Sequence, residues 1–238
     1  MNKKLLYINT NVQNNEYIYT GIPLNSFFSY LNYSIHNLLL IKGYYIGNGY
    51  KKNFELIEGD EAIQLLTQSD FYDYGDLCFV DYCDKKRVEQ LSDEEIAELL
   101  YLGHMYKPLK SPFFEVLENR IVYLSHDNDF FCKLYCKDMM IFFHIVMEHI
   151  KSIMQELYGR FDLNVHKDLK EWLIDFSEKG LLIDFSDIQY TQSKLQLKIY
   201  VIGKQSDMDM IFNNCSLLKQ TAVQIRQVSI QDGDCYLG

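Results

Sequence analysis

The stretch LSDEEIAELLYLG (residues 91–103) decides the fold expected for this chain, because a well-signalled helix starts within it. Ser92 is a typical N-cap, and Glu95 three residues later completes a capping box in which each side chain satisfies a backbone N–H. The three consecutive acids at 93–95 place negative charge at the positive end of the helix dipole. The apolar positions that follow have the i, i+3, i+4, i+7 spacing of one buried helical face: Ile96, Leu99, Leu100 and Gly103.

Apolar segments on either side of this helix indicate two buried strands, residues 77–80 and residues 121–124. If the helix is the crossover between two parallel strands, the carboxyl ends of both strands lie at one edge of the sheet. Ligands bind at such edges in open α/β sheets, so the polar residues that follow each strand become candidates for chemistry.

Three of these polar residues, Asp81, His126 and Asp129, form a candidate ligand set for a divalent cation that activates water. The four residues His-Asp-Asn-Asp at 126–129 are also typical of a polar hairpin turn, because Asp and Asn side chains hydrogen-bond their own backbone. The sequence favours the turn and keeps the metal site as the alternative.

The rest of the chain predicts a mixed α/β (α+β) fold in a single domain, residues 1–238, with a weak alternative boundary near 159–165. The clearest strand is 195–201, where apolar and polar residues alternate with a period of two. Residues 121–125 and 130–135 are expected to pair antiparallel around the 126–129 turn. The sheet is therefore expected to be partly antiparallel and covered by three or more helices, of which the longest are 92–106, 139–158 and 167–179.

Hydrophobic residues make up 48% of the chain, which is typical of a folded globule. Thirteen acidic and only three basic residues lie between Glu58 and Glu98, which accounts for the whole net charge of −10. Because a phosphate-binding surface needs clustered Lys and Arg, this balance argues against nucleic-acid binding. A simply solvated acidic face is the default interpretation, and the alternatives are a surface for a basic protein, a small ligand or a divalent cation. The candidate contact residues are Asp73, Asp76, Asp84, Glu94 and Glu98.

No segment has the length of a membrane span, since the longest nearly apolar run, 139–147, has nine residues and a bilayer requires about twenty. The chain is therefore expected to be soluble and cytoplasmic, with its six cysteines reduced. His144 and His149 are five residues apart, whereas zinc-binding helices place two histidines at i and i+4 on one face. A structural role is expected for both, and no cofactor-binding loop or serine-hydrolase elbow is present.

Several short phrases resemble a family of uncharacterised soluble bacterial proteins. They are YINTNV (7–12), YTGIP (19–23), YGD (74–76), ELLYLGH (98–104) and YLSHD (123–127). The resemblance covers roughly the first 140 residues and implies a shared fold without an established activity. Some members carry the label oxalate:formate antiporter, which conflicts with the absence of membrane-length segments in this sequence.

Two functions follow from these patterns. The leading hypothesis is a non-catalytic cytoplasmic binding or regulatory protein, without a cofactor, that presents the acidic surface of residues 58–98 to a partner. The alternative is a metal-dependent hydrolase that uses Asp81, His126 and Asp129 to hold a divalent metal. They differ in one geometric respect, which is whether these three side chains converge within metal-ligand distance.

Overall fold

The computed structural model describes residues 5–31, 33–42, 53–67, 77–126, 131–158, 167–191, 194–205, 208–231 and 234–237. The strands in these ranges are β1 (Leu5–Asn11), β2 (Glu16–Thr20), β3 (Asn37–Ile41), β4 (Phe54–Glu58), β5 (Cys78–Asp81), β6 (Ile121–His126), β7 (Phe131–Cys136), β8 (Leu181–Asp184), β9 (Gln189–Thr191), β10 (Lys194–Val201), β11 (Gln224–Gln231) and β12 (Asp234–Leu237). The helices are α1 (Leu24–Ser29), α2 (Gly59–Thr67), α3 (Lys85–Val88), α4 (Asp93–Gly103), α5 (Met139–Tyr158), α6 (Lys167–Ser177), α7 (Met208–Asn213) and α8 (Cys215–Gln220). The prediction of a mixed fold with antiparallel strands is confirmed, and strands dominate it.

The chain divides into two compact units. The first comprises residues 1–13, 17–22 and 140–238, and the second comprises residues 14–16 and 23–139. In the first unit the strand order is β12-β11-β10-β8-β1-β2, with β9 also paired to β10. In the second unit the order is β7-β6-β5-β3-β4. The boundary considered near 159–165 falls inside the first unit in sequence and outside the described residues.

The helix predicted after Ser92 is confirmed, but the parallel pairing that the alternative metal site requires is not found. α4 begins after Ser92 with the complete capping box: the Glu95 carboxylate accepts from the Ser92 N–H at 2.8 Å, and Ser92 Oγ accepts from the Glu95 N–H at 3.3 Å. β5 and β6, however, pair antiparallel, with Cys78 opposite Leu124 and Val80 opposite Val122. The two strands therefore end at opposite edges of the sheet.

The path of residues 104–120 explains this reversal. α4 runs back along β5, because the Gly103 carbonyl at its end lies 3.7 Å from Cys78 Sγ at the start of that strand. The segment after the helix then returns to the end of β5, where the Cys83 N–H donates to the Leu117 carbonyl. The chain thus crosses the length of the strand twice, and a crossover to a parallel strand crosses it only once.

The second unit packs helices against both faces of its sheet. On one face, α4 inserts Ile96, Leu99 and Leu102 into a core that contains Cys78, Val80 and other buried strand residues. On the other face, the alternate residue Phe79 stacks on Tyr123 with ring centroids 5.2 Å apart, and Phe27 and Phe28 of α1 pack against Tyr123. This alternation follows from the two-residue period of a strand.

In the first unit, α5 supplies the buried side chains Phe142, Phe143 and Val146. Tyr17 of β2 packs on Phe142 with a centroid distance of 4.6 Å. β10 buries the apolar members of its alternating sequence, as predicted: Leu195, Leu197, Ile199 and Val201. Among the described residues, none of the helices combines the length and the hydropathy needed to cross a bilayer.

Candidate functional site

The strands that carry the candidate metal ligands separate Asp81 from His126. Asp81 ends β5 beside the start of β6, whereas His126 ends β6 five residues further along. At about 3.4 Å per residue, their positions differ by about 17 Å along the strand. Each ligand atom must lie about 2 Å from the metal ion, so two side chains whose backbones are this far apart cannot bind the same ion. Asp129 lies outside the described residues.

The carboxylate of Asp81 already has partners in the backbone. It accepts the N–H of Ile121 at 2.6 Å and the N–H of Arg120 at 2.9 Å, which fixes the entry of the chain into β6. Burial raises the pKa of Asp81 to about 6, and the two backbone hydrogen bonds and the Arg120 charge only partly oppose this shift. We therefore assign Asp81 a structural role at the junction of the two strands.

The described residues also contain no group of three or more His, Cys, Asp or Glu side chains placed to hold a metal ion. His149 of α5 is buried, and burial lowers its pKa to about 4, while a backbone contact with Gly21 acts in the other direction. Glu148 pairs with Lys151 at 3.8 Å. Both arrangements fit the structural role expected for this part of the helix.

Three of the five acids expected to contact a partner have intramolecular contacts. Asp84 accepts the N–H of Lys86 at 2.9 Å and caps α3. Glu98 accepts the N–H of Lys110 at 2.9 Å, and the exposed Glu94 carboxylate lies 3.3 Å from the Lys110 ammonium. These contacts join α4 to the segment that follows it. Asp73 and Asp76 lie outside the described residues.

Two other acids of the 58–98 surface, Asp60 and Glu61, are more available to a partner. Both are exposed in the first turn of α2. Glu58 pairs with Lys85 at 3.6 Å, but neither Asp60 nor Glu61 forms an ion pair with a described residue. We refer to Asp60 and Glu61 as the α2 acids.

An open pocket of about 360 Å³ lies beside the same helix, and we call it the α2 pocket. It lies at the low end of the volumes typical of ligand sites, about 300–1,000 Å³. Six apolar or aromatic side chains and two hydroxyl-bearing ones line it: Phe28, Leu31, Tyr33, Ile35, Ile63, Leu66, Ser34 and Thr67. Their charge-free surface suits an apolar group.

The position of α2 links the acids to the pocket. Asp60, Ile63 and Thr67 are at i, i+3 and i+7, so they lie on one face of the helix. Side chains three residues apart on a helix have Cβ atoms about 5–6 Å apart. Asp60 therefore lies about one helical turn from the Ile63 wall of the pocket.

Tyr33, which lines the pocket, interacts electrostatically with Arg120 and Asp81. The Arg120 guanidinium lies 5.6 Å from the centre of the Tyr33 ring, a cation–π distance. Burial raises the pKa of Tyr33, and the nearby Asp81 charge raises it further, so the phenol stays protonated. The Asp81 hydrogen bonds thus fix the backbone at the start of β6, from which the Arg120 side chain reaches the Tyr33 ring.

A second polar cluster lies in the first unit, around Lys219 of α8. Its ammonium contacts Asp184 Oδ2 at 2.7 Å and Asp187 Oδ2 at 2.8 Å, and the Tyr200 hydroxyl donates to Asp187 at 2.8 Å. Burial acts to lower the pKa of Lys219, but the two carboxylates outweigh it and raise that pKa overall. Lys219 therefore remains charged and ties α8 to the end of β8.

The chain matches no protein-family model, no curated protein and no solved structure in the comparisons made with it. Function must therefore be argued from the geometry of the described residues. The α2 pocket is the feature that sequence reasoning missed. Its lining comes from α1, from residues 31 and 33–35 and from α2, so no single stretch of sequence carries its pattern.

Proposed function

We propose that the chain is a non-catalytic binding or regulatory protein that presents an acidic surface of its second unit to a basic protein partner. The surface is centred on α2. The observation that carries the proposal is the exposure of the α2 acids on the helix that also walls an open apolar pocket. The acidic charge attracts a basic partner from a distance. The apolar recess beside it offers surface that the partner can bury once it is bound.

Other observations support this proposal. The acidic excess is local to the 58–98 stretch, which includes α2, so negative charge is concentrated in the second unit and not spread evenly over the chain. The five described cysteines are free thiols, which fits a reducing cytoplasmic location. The metal-dependent hydrolase has no comparable observation in its favour, because Asp81 and His126 lie at opposite ends of the antiparallel pair formed by β5 and β6.

The proposal is tested with fluorescein-labelled octalysine, a basic peptide without apolar side chains, by fluorescence anisotropy. We expect binding at 50 mM NaCl that weakens at least tenfold by 300 mM, because exposed charges are screened within about 8 Å at physiological ionic strength. The variant Asp60→Asn/Glu61→Gln should bind at least fivefold more weakly at 50 mM NaCl.

The matched control is Glu156→Gln/Asp175→Asn, which removes the same two charges from exposed positions of α5 and α6 in the first unit. It should leave octalysine binding within twofold of the parent. Equal weakening in both double variants would show that octalysine responds to net charge alone, and the proposed face would then be wrong.

A further inference from the structure

We infer that the α2 pocket is an anchor site for one large apolar side chain, such as Phe, within a Lys- or Arg-rich segment of the partner. This inference rests on the proposed function and adds the chemistry of its recognition element. The acidic face attracts the segment, and the pocket selects segments in which an apolar residue lies among the basic ones.

The lining of the pocket determines the anchor. Among the residues that the structure describes, no charged side chain lines it, so a cationic side chain placed there loses hydration without gaining a counter-charge. The rings of Phe28 and Tyr33 offer aromatic contacts, and Ile63 and Leu66 offer aliphatic ones. Ile63 is 40% exposed, which leaves apolar surface for the anchor to cover.

The open shape of the pocket favours a side chain of a partner protein over a small molecule as its occupant. The pocket is open on one side, whereas small-molecule sites usually enclose most of the ligand surface. Anchor residues of protein partners fill such recesses, and aromatic side chains dominate them energetically. A side chain that projects from an extended segment leaves its backbone and neighbouring residues outside the pocket, beside the exposed surface of α2.

The charges near the pocket determine what flanks the anchor. Asp60 lies about one turn from Ile63, within reach of a Lys or Arg one or two residues from the anchor in an extended segment. Two described cations oppose this: the Arg120 guanidinium lies 5.6 Å from the centre of the Tyr33 ring, and Lys85 pairs with Glu58 at 3.6 Å, two residues from Asp60. The Asp81 carboxylate, which accepts the Arg120 N–H, offsets the Arg120 charge locally.

The test uses two labelled heptapeptides of equal charge, Lys-Lys-Lys-Phe-Lys-Lys-Lys and Lys-Lys-Lys-Gly-Lys-Lys-Lys, in anisotropy titrations at 50 mM and 300 mM NaCl. We expect the Phe peptide to bind about tenfold more tightly than the Gly peptide, since burying a Phe side chain is typically worth a factor of this size or more. The tenfold ratio should persist at 300 mM NaCl, because burial of apolar surface does not depend on charge screening.

The variant Ile63→Asn removes an apolar wall without changing charge, and it should reduce the Phe-to-Gly ratio to below threefold. Leu157→Asn is its control, because Leu157 is a helix residue of similar exposure, 44%, in the first unit. Circular dichroism and the urea midpoint of both variants verify folding, which the partial exposure of both residues should preserve.

The outcomes separate this inference from the proposed function. Binding of both peptides with equal affinity keeps the acidic surface and overturns the anchor site. A Phe preference that is lost in Ile63→Asn, together with an affinity for the Phe peptide at 50 mM NaCl that is unchanged in Asp60→Asn/Glu61→Gln, keeps an apolar site and overturns the basic flanks. A Phe preference that persists unchanged in Ile63→Asn places the anchor elsewhere and overturns the inference.

Discussion

Replacing Asp81 by Asn should stabilise the protein at neutral pH, although the substitution removes a residue with the chemistry of a catalytic acid. Asp81 Oδ1 accepts the N–H groups of both Arg120 and Ile121, and the Asn oxygen can accept the same two bonds, so that only the longer 3.2 Å contact of Oδ2 with the Arg120 N–H is lost. Asn avoids the cost of holding a charge in this largely enclosed site. Asp81→Ala, in contrast, leaves two backbone donors without a partner and should destabilise by about 1–3 kcal/mol.

The magnitude for Asn follows from the pKa. Burial raises the pKa of Asp81 from 3.8 to about 6. Below pH 3.8 the carboxyl group is neutral in both the folded and the unfolded state. Between these two values the unfolded state releases its proton first, so the free energy of unfolding falls as pH rises. Above pH 6 the full penalty applies, which is at most about 3 kcal/mol at 1.36 kcal/mol per pKa unit.

The assay is urea denaturation of the parent, Asp81→Asn and Asp81→Ala at pH 4 and pH 7.5. The advantage of Asn over the parent should grow between the two pH values by up to about 3 kcal/mol. Asp175→Asn, at an exposed position of α6, controls for the loss of one negative charge. An Asp81→Asn variant whose offset from the parent is the same at both pH values would refute the reasoning.

Three further substitutions test individual contacts by the urea midpoint. Ser92→Ala removes the N-cap of α4 and half of the capping box, and should destabilise by about 1 kcal/mol. Lys219→Met leaves the buried Asp184 carboxylate without its 2.7 Å partner, and should destabilise by about 3 kcal/mol at pH 7. Gly21→Ala should be strongly destabilising, because its φ is +100° and a Cβ there would clash with the Leu5 carbonyl oxygen.

Each of these substitutions has a control or a contradicting result. Gly59→Ala is matched to Gly21→Ala, since Gly59 also has a positive φ but no atom within 4 Å of its Cβ position, so it should cost about 1 kcal/mol. Equal effects at both glycines would contradict the steric argument. Lys204→Met removes an exposed lysine and should change little. An unchanged midpoint for Ser92→Ala would mean that the capping box contributes nothing.

Local sequence signals predicted the elements of the fold well. The capping box at Ser92 and Glu95 involves residues three apart, so its geometry depends on the helix alone. The alternation in 195–201 likewise depends only on the period of a strand, and its apolar residues are buried. The direction of β6 relative to β5 was not predictable in this way. It depends on the path of residues 104–120, which is fixed by distant contacts such as that between Cys83 and Leu117.

For the candidate site, too, the sequence predicted local features but not those that depend on long-range contacts. The acidic excess at 58–98 is visible in the sequence, but which acids remain available depends on partners that the fold supplies. Glu98 accepts an N–H from Lys110, twelve residues away, while Asp60 and Glu61 form no ion pair with a described residue. The α2 pocket requires α1 and α2 to pack side by side, and this contact is long-range. Asp81 was a candidate metal ligand because ligands bind at the carboxyl ends of parallel strands, but the antiparallel pairing places its carboxylate against the backbone of the next strand.

The most direct measurement of the central claim is a map of amide chemical-shift changes when the ¹⁵N-labelled protein is titrated with Lys-Lys-Lys-Phe-Lys-Lys-Lys. The account predicts that the largest changes fall on α2, Gly59–Thr67, and on residues 31 and 33–35, because the α2 acids and the α2 pocket lie there. The amides of α6, Lys167–Ser177, should shift little. Changes concentrated in the first unit, with α2 unaffected, would contradict the account.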